Sequence, residues 1–261
     1  MKKHVTFRSA EASEFYREIK NVAENRPIWS VWSDWIEASA LVISIASEFR
    51  LNVRAARVKR FQELLDSYKE NEQISFDRMF DLMVEALERQ PEQDFLGTMF
   101  ETLGLSDHWK GQFFTPYDVS YMMATINLMD TDVVLEHQTW TDVFDPCSGA
   151  GVLLIASRNF LLKKKIGCDR ILFVGQDIDK VAGLMGYIQI SLLGCAGYIA
   201  IGNSLTDPLT WNGTSLIPNE NEHYELWFTP MYRSPVWEYR RAKELLKLEA
   251  ANNNKYKDNA D

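Results

Sequence analysis

The chain has 261 residues, 46% of them hydrophobic and 25% charged, a globular balance with length enough for one large domain or two modest ones. Its formal net charge of −9 argues against a generic polyanion binder, while leaving room for DNA contact through a local basic patch or a basic partner. No apolar run is long enough to span a bilayer, the opening MKKHVTFRSAEASEF lacks the apolar core of a secretory signal, and Cys147, Cys168 and Cys195 show no C-x-x-C spacing; membrane spans, disulfide frameworks and metal sites are therefore not expected, and a reducing cytoplasm is the expected setting.

The first half reads as helices. From Trp29 to Phe49, the residues Trp29, Trp32, Trp35 and Ile36, then Leu41, Val42 and Ile45, recur near helical spacing. Ala55 to Glu70 aligns Phe61, Leu64, Leu65 and Tyr68, and Phe76 to Arg89 aligns Phe80, Met83, Val84 and Leu87. The tryptophans are expected in a core or an interface rather than as a platform for bases. Pro91 breaks the pattern before a short helix from Asp94 to Leu103. Two basic stretches, Arg50, Arg54, Arg57, Lys59 and Arg60, then Arg233, Arg240, Arg241, Lys243 and Lys247, read as solvated helix faces with acids nearby.

From Gly104 the texture changes. Thr115 and Pro116 make a helix start, with Thr as N-cap and Pro in the first turn, for a helix from Tyr117 to Met129. Short apolar runs then alternate with helical ones. Strands are expected at Thr141–Phe144, Ile171–Gly175, Tyr198–Ile201 and Tyr224–Phe228, and helices at Val152–Leu162, Lys180–Leu193 and Val236–Ala250. This alternation predicts an α/β fold with a parallel sheet and crossover helices. The expected organisation is a helical domain over 1–110, an α/β domain over 111–250 and a disordered polar tail over 251–261.

The first strand ends in DPCSGAGVLL, Asp145 to Leu154, with Gly149 and Gly151 where strand turns into helix. There a side chain would block a ligand from the backbone amides. The second strand ends in Gly175-Gln176-Asp177, whose carboxylate can accept both ribose hydroxyls of an adenosine ligand. Asp177 lies 28 residues after Gly149, further than the roughly 20 of dinucleotide folds. A nicotinamide dinucleotide would want a third glycine where Leu154 stands. There is no phosphate-loop Gly-Lys-Ser/Thr. An adenosine without a diphosphate fits better, and S-adenosylmethionine is such a ligand.

With these motifs the chain resembles the adenine-N6 DNA methylases, especially the modification subunits of type I restriction enzymes. Gly111-Gln112-Phe113-Phe114-Thr115-Pro116 is similar to the family's GQFYTP, Asp145–Gly151 to DPACGSG, Gly175-Gln176-Asp177-Ile178 to its GQE/D-hydrophobic segment, and Gly202-Asn203-Ser204-Leu205 to GDSL. PEQDFLGTMFETL resembles the stretch before GQFYTP. The resemblance covers Asp94 to about Tyr232. It implies a class I, Rossmann-type methyltransferase fold with S-adenosylmethionine as cofactor. Thr115, Asp145, Gly149 and Gly151 would hold the methionine part, Asp177 the ribose, Ile178 the adenine face and Asn203 its edge.

Two departures stand out. The family's Asn/Asp-Pro-Pro-Tyr/Phe gives the target amine two acceptors and stacks an aromatic on the flipped base. The matching segment is Thr229-Pro230-Met231-Tyr232, so Thr229 and the Pro230 carbonyl would accept from the amine and Tyr232 would stack, with a weaker acceptor than the family's. Only 29 residues follow Tyr232, where the family adds three strands and a region or subunit that reads DNA. A truncated sheet of order 3-2-1-4 is expected, its fourth strand a bare edge unless the terminal helix, the helical domain, a second copy or a partner covers it. The function implied is methyl transfer to DNA adenine, weak or absent without a partner. The alternatives are a catalytically inactive SAM- or DNA-binding subunit of a restriction or mobile-element system, and a small-molecule methyltransferase, against which GQFFTP and Tyr232 weigh.

Overall fold

A computed structural model describes residues 6–106 and 114–258, with side chains to 250. Gly111, Gln112 and Phe113 of the GQFFTP segment lie outside the described residues. The chain opens with α1 (Ala10–Val22), which the sequence reading did not anticipate. Ser9 caps it by accepting the Ala12 amide at 3.2 Å, and Phe15, Ile19 and Val22 form its buried stripe. There follow α2 (Ile28–Ser47), α3 (Leu51–Leu65), α4 (Glu70–Arg89) and α5 (Phe95–Thr102). Trp32 and Trp35 are fully buried, and Trp35 Nε1 donates to the Phe76 carbonyl at 3.1 Å. They are core residues, as their spacing suggested.

The sheet half comprises α6 (Tyr117–Asn127), α7 (Thr131–His137), β1 (Thr141–Asp145), α8 (Val152–Lys163), β2 (Ile171–Asp177), α9 (Lys180–Leu192), β3 (Ala196–Ile201), β4 (Glu225–Phe228) and α10 (Pro235–Asp258). α10 runs to Asp258, through residues expected to be disordered. The stretch is polar, but nothing after Pro235 is Gly or Pro, so no residue stops the helix.

β1, β2 and β3 are parallel, and the fold is mixed α/β with a mostly parallel four-stranded sheet. The expected order 3-2-1-4 is corrected at one position. The order is β1-β2-β3-β4, with β4 antiparallel to β3, Ile199 opposite Trp227. The physical reason lies in the connection. Returning parallel beside β1 requires a crossover, usually a helix. The stretch between β3 and β4 holds no helix, only a loop closed by a Trp211–Pro218 bridge. The chain therefore turns back beside β3.

That loop covers one sheet face. Leu209 and Leu216, with Tyr232 and Trp237 from the following segment, pack on Leu172, Val174, Tyr198 and Phe228. Gln176 pins it, donating to the Asp207 carbonyl and accepting the Leu209 amide, both at 2.9 Å. The other face meets α8 and α9 and continues without a break into the tryptophan core of α1–α5.

The helical half also covers the outer edge of β4. Arg57 of α3 donates to the Leu226 carbonyl at 3.2 Å and to Glu48 Oε2 at 3.2 Å, and its guanidinium lies 4.0 Å from the Trp227 ring centroid. Trp227 and Trp237 are buried within the chain. No described helix is long and apolar enough to cross a membrane.

Candidate cofactor site

The glycine turn joins β1 to α8 at the carboxyl ends of the parallel strands. Gly149 has φ +52° and Gly151 φ +82°, a region that side chains rarely adopt. The two glycines serve different purposes. Gly149 lines a cleft, and a Cβ there would meet the Phe114 ring at 3.2 Å. Gly151 faces away from the cleft, and its Cβ would stand 3.0 Å from Gly186 Cα. The expectation that Gly151 keeps space for a ligand is therefore corrected: it lets α9 approach the turn.

Asp177 closes the turn from β2. Its Oδ2 accepts the Gly149 amide at 2.7 Å and its Oδ1 the Asp179 amide at 2.9 Å. Asp145 Oδ1 accepts the Cys147 amide at 3.0 Å. Burial holds the Asp177 carboxyl above the usual carboxylate range against the pull of these amides, and burial, with the Asp177 charge beside it, does the same for Asp145.

The cleft, about 340 Å³, is lined by Phe114, Thr115, Ser120, Met123, Asp145 and Cys147 and, around the turn, by Ser148, Gly149, Val152, Leu153 and Asp177. Ser120 and Ser148 were missed by sequence reasoning. Both are buried, and among the described residues neither hydroxyl has a hydrogen-bond partner, an arrangement that costs free energy unless something fills it. No spacing marks them out.

Asn203 follows β3 and is not among the cleft's lining residues, though its neighbours touch two of them. The Gly202 amide bonds the Asp177 carbonyl at 2.9 Å, and Ser204 Oγ lies 3.8 Å from Cys147 Sγ. Asn203 Oδ1 is already committed to the amides of Leu205 at 2.9 Å and Thr206 at 3.3 Å. Only its amide nitrogen remains to meet a ligand. Ile178 and Leu205, 68% and 90% exposed, follow Asp177 and Ser204 in the chain and are not among the cleft's lining residues.

Thr229, Pro230 and Tyr232 are not brought to this cleft, which corrects their catalytic assignment. The antiparallel course of β4 carries them to the amino end of β3. Thr229 Oγ1 donates to the Cys195 carbonyl at 2.8 Å and accepts the Gly197 amide at 3.0 Å, fully buried. From Gly197 to Gly202 the strand rises roughly 16 Å. Tyr232 is buried, stacked on Phe228 at 4.8 Å between ring centroids, and its hydroxyl donates to the Leu216 carbonyl at 2.5 Å. No face of it is open to a base.

A larger cleft, about 560 Å³, lies between α2, α3 and β4. Its cations are already paired, Arg50 with Glu48 and Glu220, Arg57 with Glu48, and Arg60 and Lys180 with Glu37. In the second basic stretch, Arg240 bonds the Asp169 carbonyl, Arg241 the Tyr232 carbonyl, and Lys247 pairs with Glu244.

Against this geometry, a family model described as N-6 DNA Methylase matches residues 92–257, more than half of the chain. The chain belongs to the N-6 DNA methylase family. Two solved structures are similar to it. One is a type I restriction-modification system methyltransferase subunit from Streptococcus thermophilus, at 12% identity and TM-score 0.40, covering 78% of this chain and 60% of that one. The other is described as a class I S-adenosylmethionine-dependent methyltransferase from Listeria monocytogenes, at 13% identity and TM-score 0.38, covering 83% and 66%. The chain thus spans less than two thirds of the length of either. Comparison with curated proteins finds no match.

Membership in the N-6 DNA methylase family implies S-adenosylmethionine as the cofactor, and the cleft fits it. Two buried orphan hydroxyls and two carboxylates await donors and acceptors, and no Lys, Arg or His stands among the described lining residues. A diphosphate would meet negative charge alone; an adenosine carrying an ammonium and a sulfonium would not.

Proposed function

We propose that this N-6 DNA methylase family protein binds S-adenosylmethionine and takes part in adenine methylation of DNA together with a partner chain that brings the residues handling the base. The observation that carries this reading is the separation of Thr229-Pro230-Met231-Tyr232 from the glycine turn.

On this reading, Asp177 accepts from the ribose hydroxyls with its remaining lone pairs, and Asp145 accepts from the ammonium of the methionine part. Thr115, Ser120 and Ser148 meet its carboxylate. Ile178 and Leu205 pack on the adenine, and the Asn203 amide nitrogen donates to a ring nitrogen. Gly149 leaves the turn open to the ligand. When bound, the cofactor supplies a methyl group activated by its sulfonium. The chain orients it and shields it from water on the Phe114 and Met123 side. Because the internal basic stretches are largely paired, DNA is held chiefly by the partner. A reducing cytoplasm suits the three free cysteines.

A second reading, a catalytically silent regulatory or decoy subunit, draws on the same burial of Thr229. Calorimetry with S-adenosylmethionine and mass spectrometry of DNA digests test both. We expect cofactor binding and no N6-methyladenine from the chain alone. Absence of cofactor binding, or vigorous methylation by the purified chain, would overturn the proposal. Methylation restored by a partner would exclude the silent subunit.

A further inference from the structure

Doubly wound sheets place their first strand between neighbours on both sides. Among the described residues, β1 pairs only with β2. Its residues alternate between half-buried and exposed, while β2 is buried throughout, and Phe144 is 38% exposed. Among the described residues, no backbone–backbone hydrogen bond from outside the sheet reaches β1. Arg57 guards the other edge, whereas none of the described residues pairs with this one, and open edges invite pairing.

The helix above the same cleft packs on α8 by one face and leaves the other bare. α6 buries only Ser120 and Ala124. Val119, Met122, Met123 and Ile126, spaced as one helical stripe, are 42%, 57%, 39% and 63% exposed. Contiguous exposed apolar surface of this kind marks an interaction site, and methionines adapt to the partner's shape. Ser120 and Met123 line the cleft together with Asp145 and Cys147, so stripe and strand end meet there. From 114 to 157 the chain has no Lys or Arg, and its charged residues are Asp118, Asp130, Asp132, Glu136, Asp142 and Asp145. Of these, Asp132 is paired with Lys164.

We propose that β1 and the α6 stripe form the docking surface for a separate protein chain. That chain adds an extended, alternately apolar segment along the β1 edge and sets basic residues against the acidic rim. Backbone pairing would supply affinity, and the stripe and rim would select the partner. Whichever end of the added strand lies at Asp145 stands beside the cofactor cleft, where base-handling groups are missing. That last consequence rests on the proposed function; the docking surface does not.

The test uses the full chain and a synthetic peptide of alternating valine and threonine with lysines at both ends, read by hydrogen exchange. We expect saturable slowing over Thr141–Asp145, with about tenfold weaker binding for the same peptide ended in glutamates. Pairing Met122→Lys with Ile126→Lys should weaken binding about tenfold at an unchanged melting temperature. The surface would be refuted by slowing over Glu225–Phe228 instead, by equal binding of a proline-interrupted peptide, or by no slowing at any soluble concentration. Calorimetry with S-adenosylmethionine on the same sample separates the two proposals. Peptide binding without cofactor binding sinks only the cofactor reading, and the reverse sinks only the docking surface.

Discussion

The Asp177 carboxylate accepts the Gly149 amide at 2.7 Å, so the acid offered to a ribose also holds the glycine turn in shape. Asp177→Ala should therefore remove a ligand acceptor and loosen the turn together. S-adenosylmethionine affinity should fall by more than about 1.5 kcal/mol by calorimetry, the upper range of an ordinary net hydrogen bond. Undiminished affinity would remove Asp177 from the site.

Ser148→Ala separates binding from folding. The wild-type hydroxyl is buried without a partner, so the variant should match or exceed wild-type stability by up to about 1 kcal/mol in urea melts. Its cofactor affinity should drop. A variant that is less stable but binds normally would give Ser148 a structural partner instead.

Thr229→Val tests the reassigned segment. It loses the bonds to Cys195 and Gly197 and leaves buried groups unpaired, which should cost about 1–3 kcal/mol of stability. Cofactor affinity should not change. By the same geometry Thr229→Asn should destabilise rather than create activity. Gain of methylation in that variant would return Thr229 to the reaction.

Asp94 should give stability a pH dependence. Burial pushes its carboxyl up to about 6, against an ordinary value near 3.9. The folded state then holds the proton more tightly than the unfolded state. Stability from this group is full below about pH 4 and declines as pH rises through about 6, by on the order of 2–3 kcal/mol. Asp94→Asn can keep the acceptor for Gly97 and Gln189, so its stability should be flatter over that window. Parallel slopes in wild type and variant would contradict this.

Local chemistry was legible in the residues, and non-local choices were not. Gly149 and Asp177 could be paired from motif and strand ends, because both sit on the turn that defines them. The tryptophan core followed from helical spacing. The place of β4 did not, because it depends on what the connection from β3 lacks, and Tyr232 went astray with it. Ser120 looks like any helix serine until burial shows its hydroxyl alone. α1 carried a legible cap at Ser9 and was overlooked.

Gln189 sits fully buried where the two halves meet. Its amide donates to Asp94 at 2.8 Å and to the Ala150 carbonyl at 2.9 Å, while its oxygen accepts the Leu96 amide at 3.1 Å. One side chain thus ties the start of α5 to the middle of the glycine turn. The helical half is accordingly not an appendage that could be trimmed away or exchanged. A fragment beginning after it would leave the Gln189 amide and the turn short of partners, and should fail to hold a nucleoside even with every cleft residue intact.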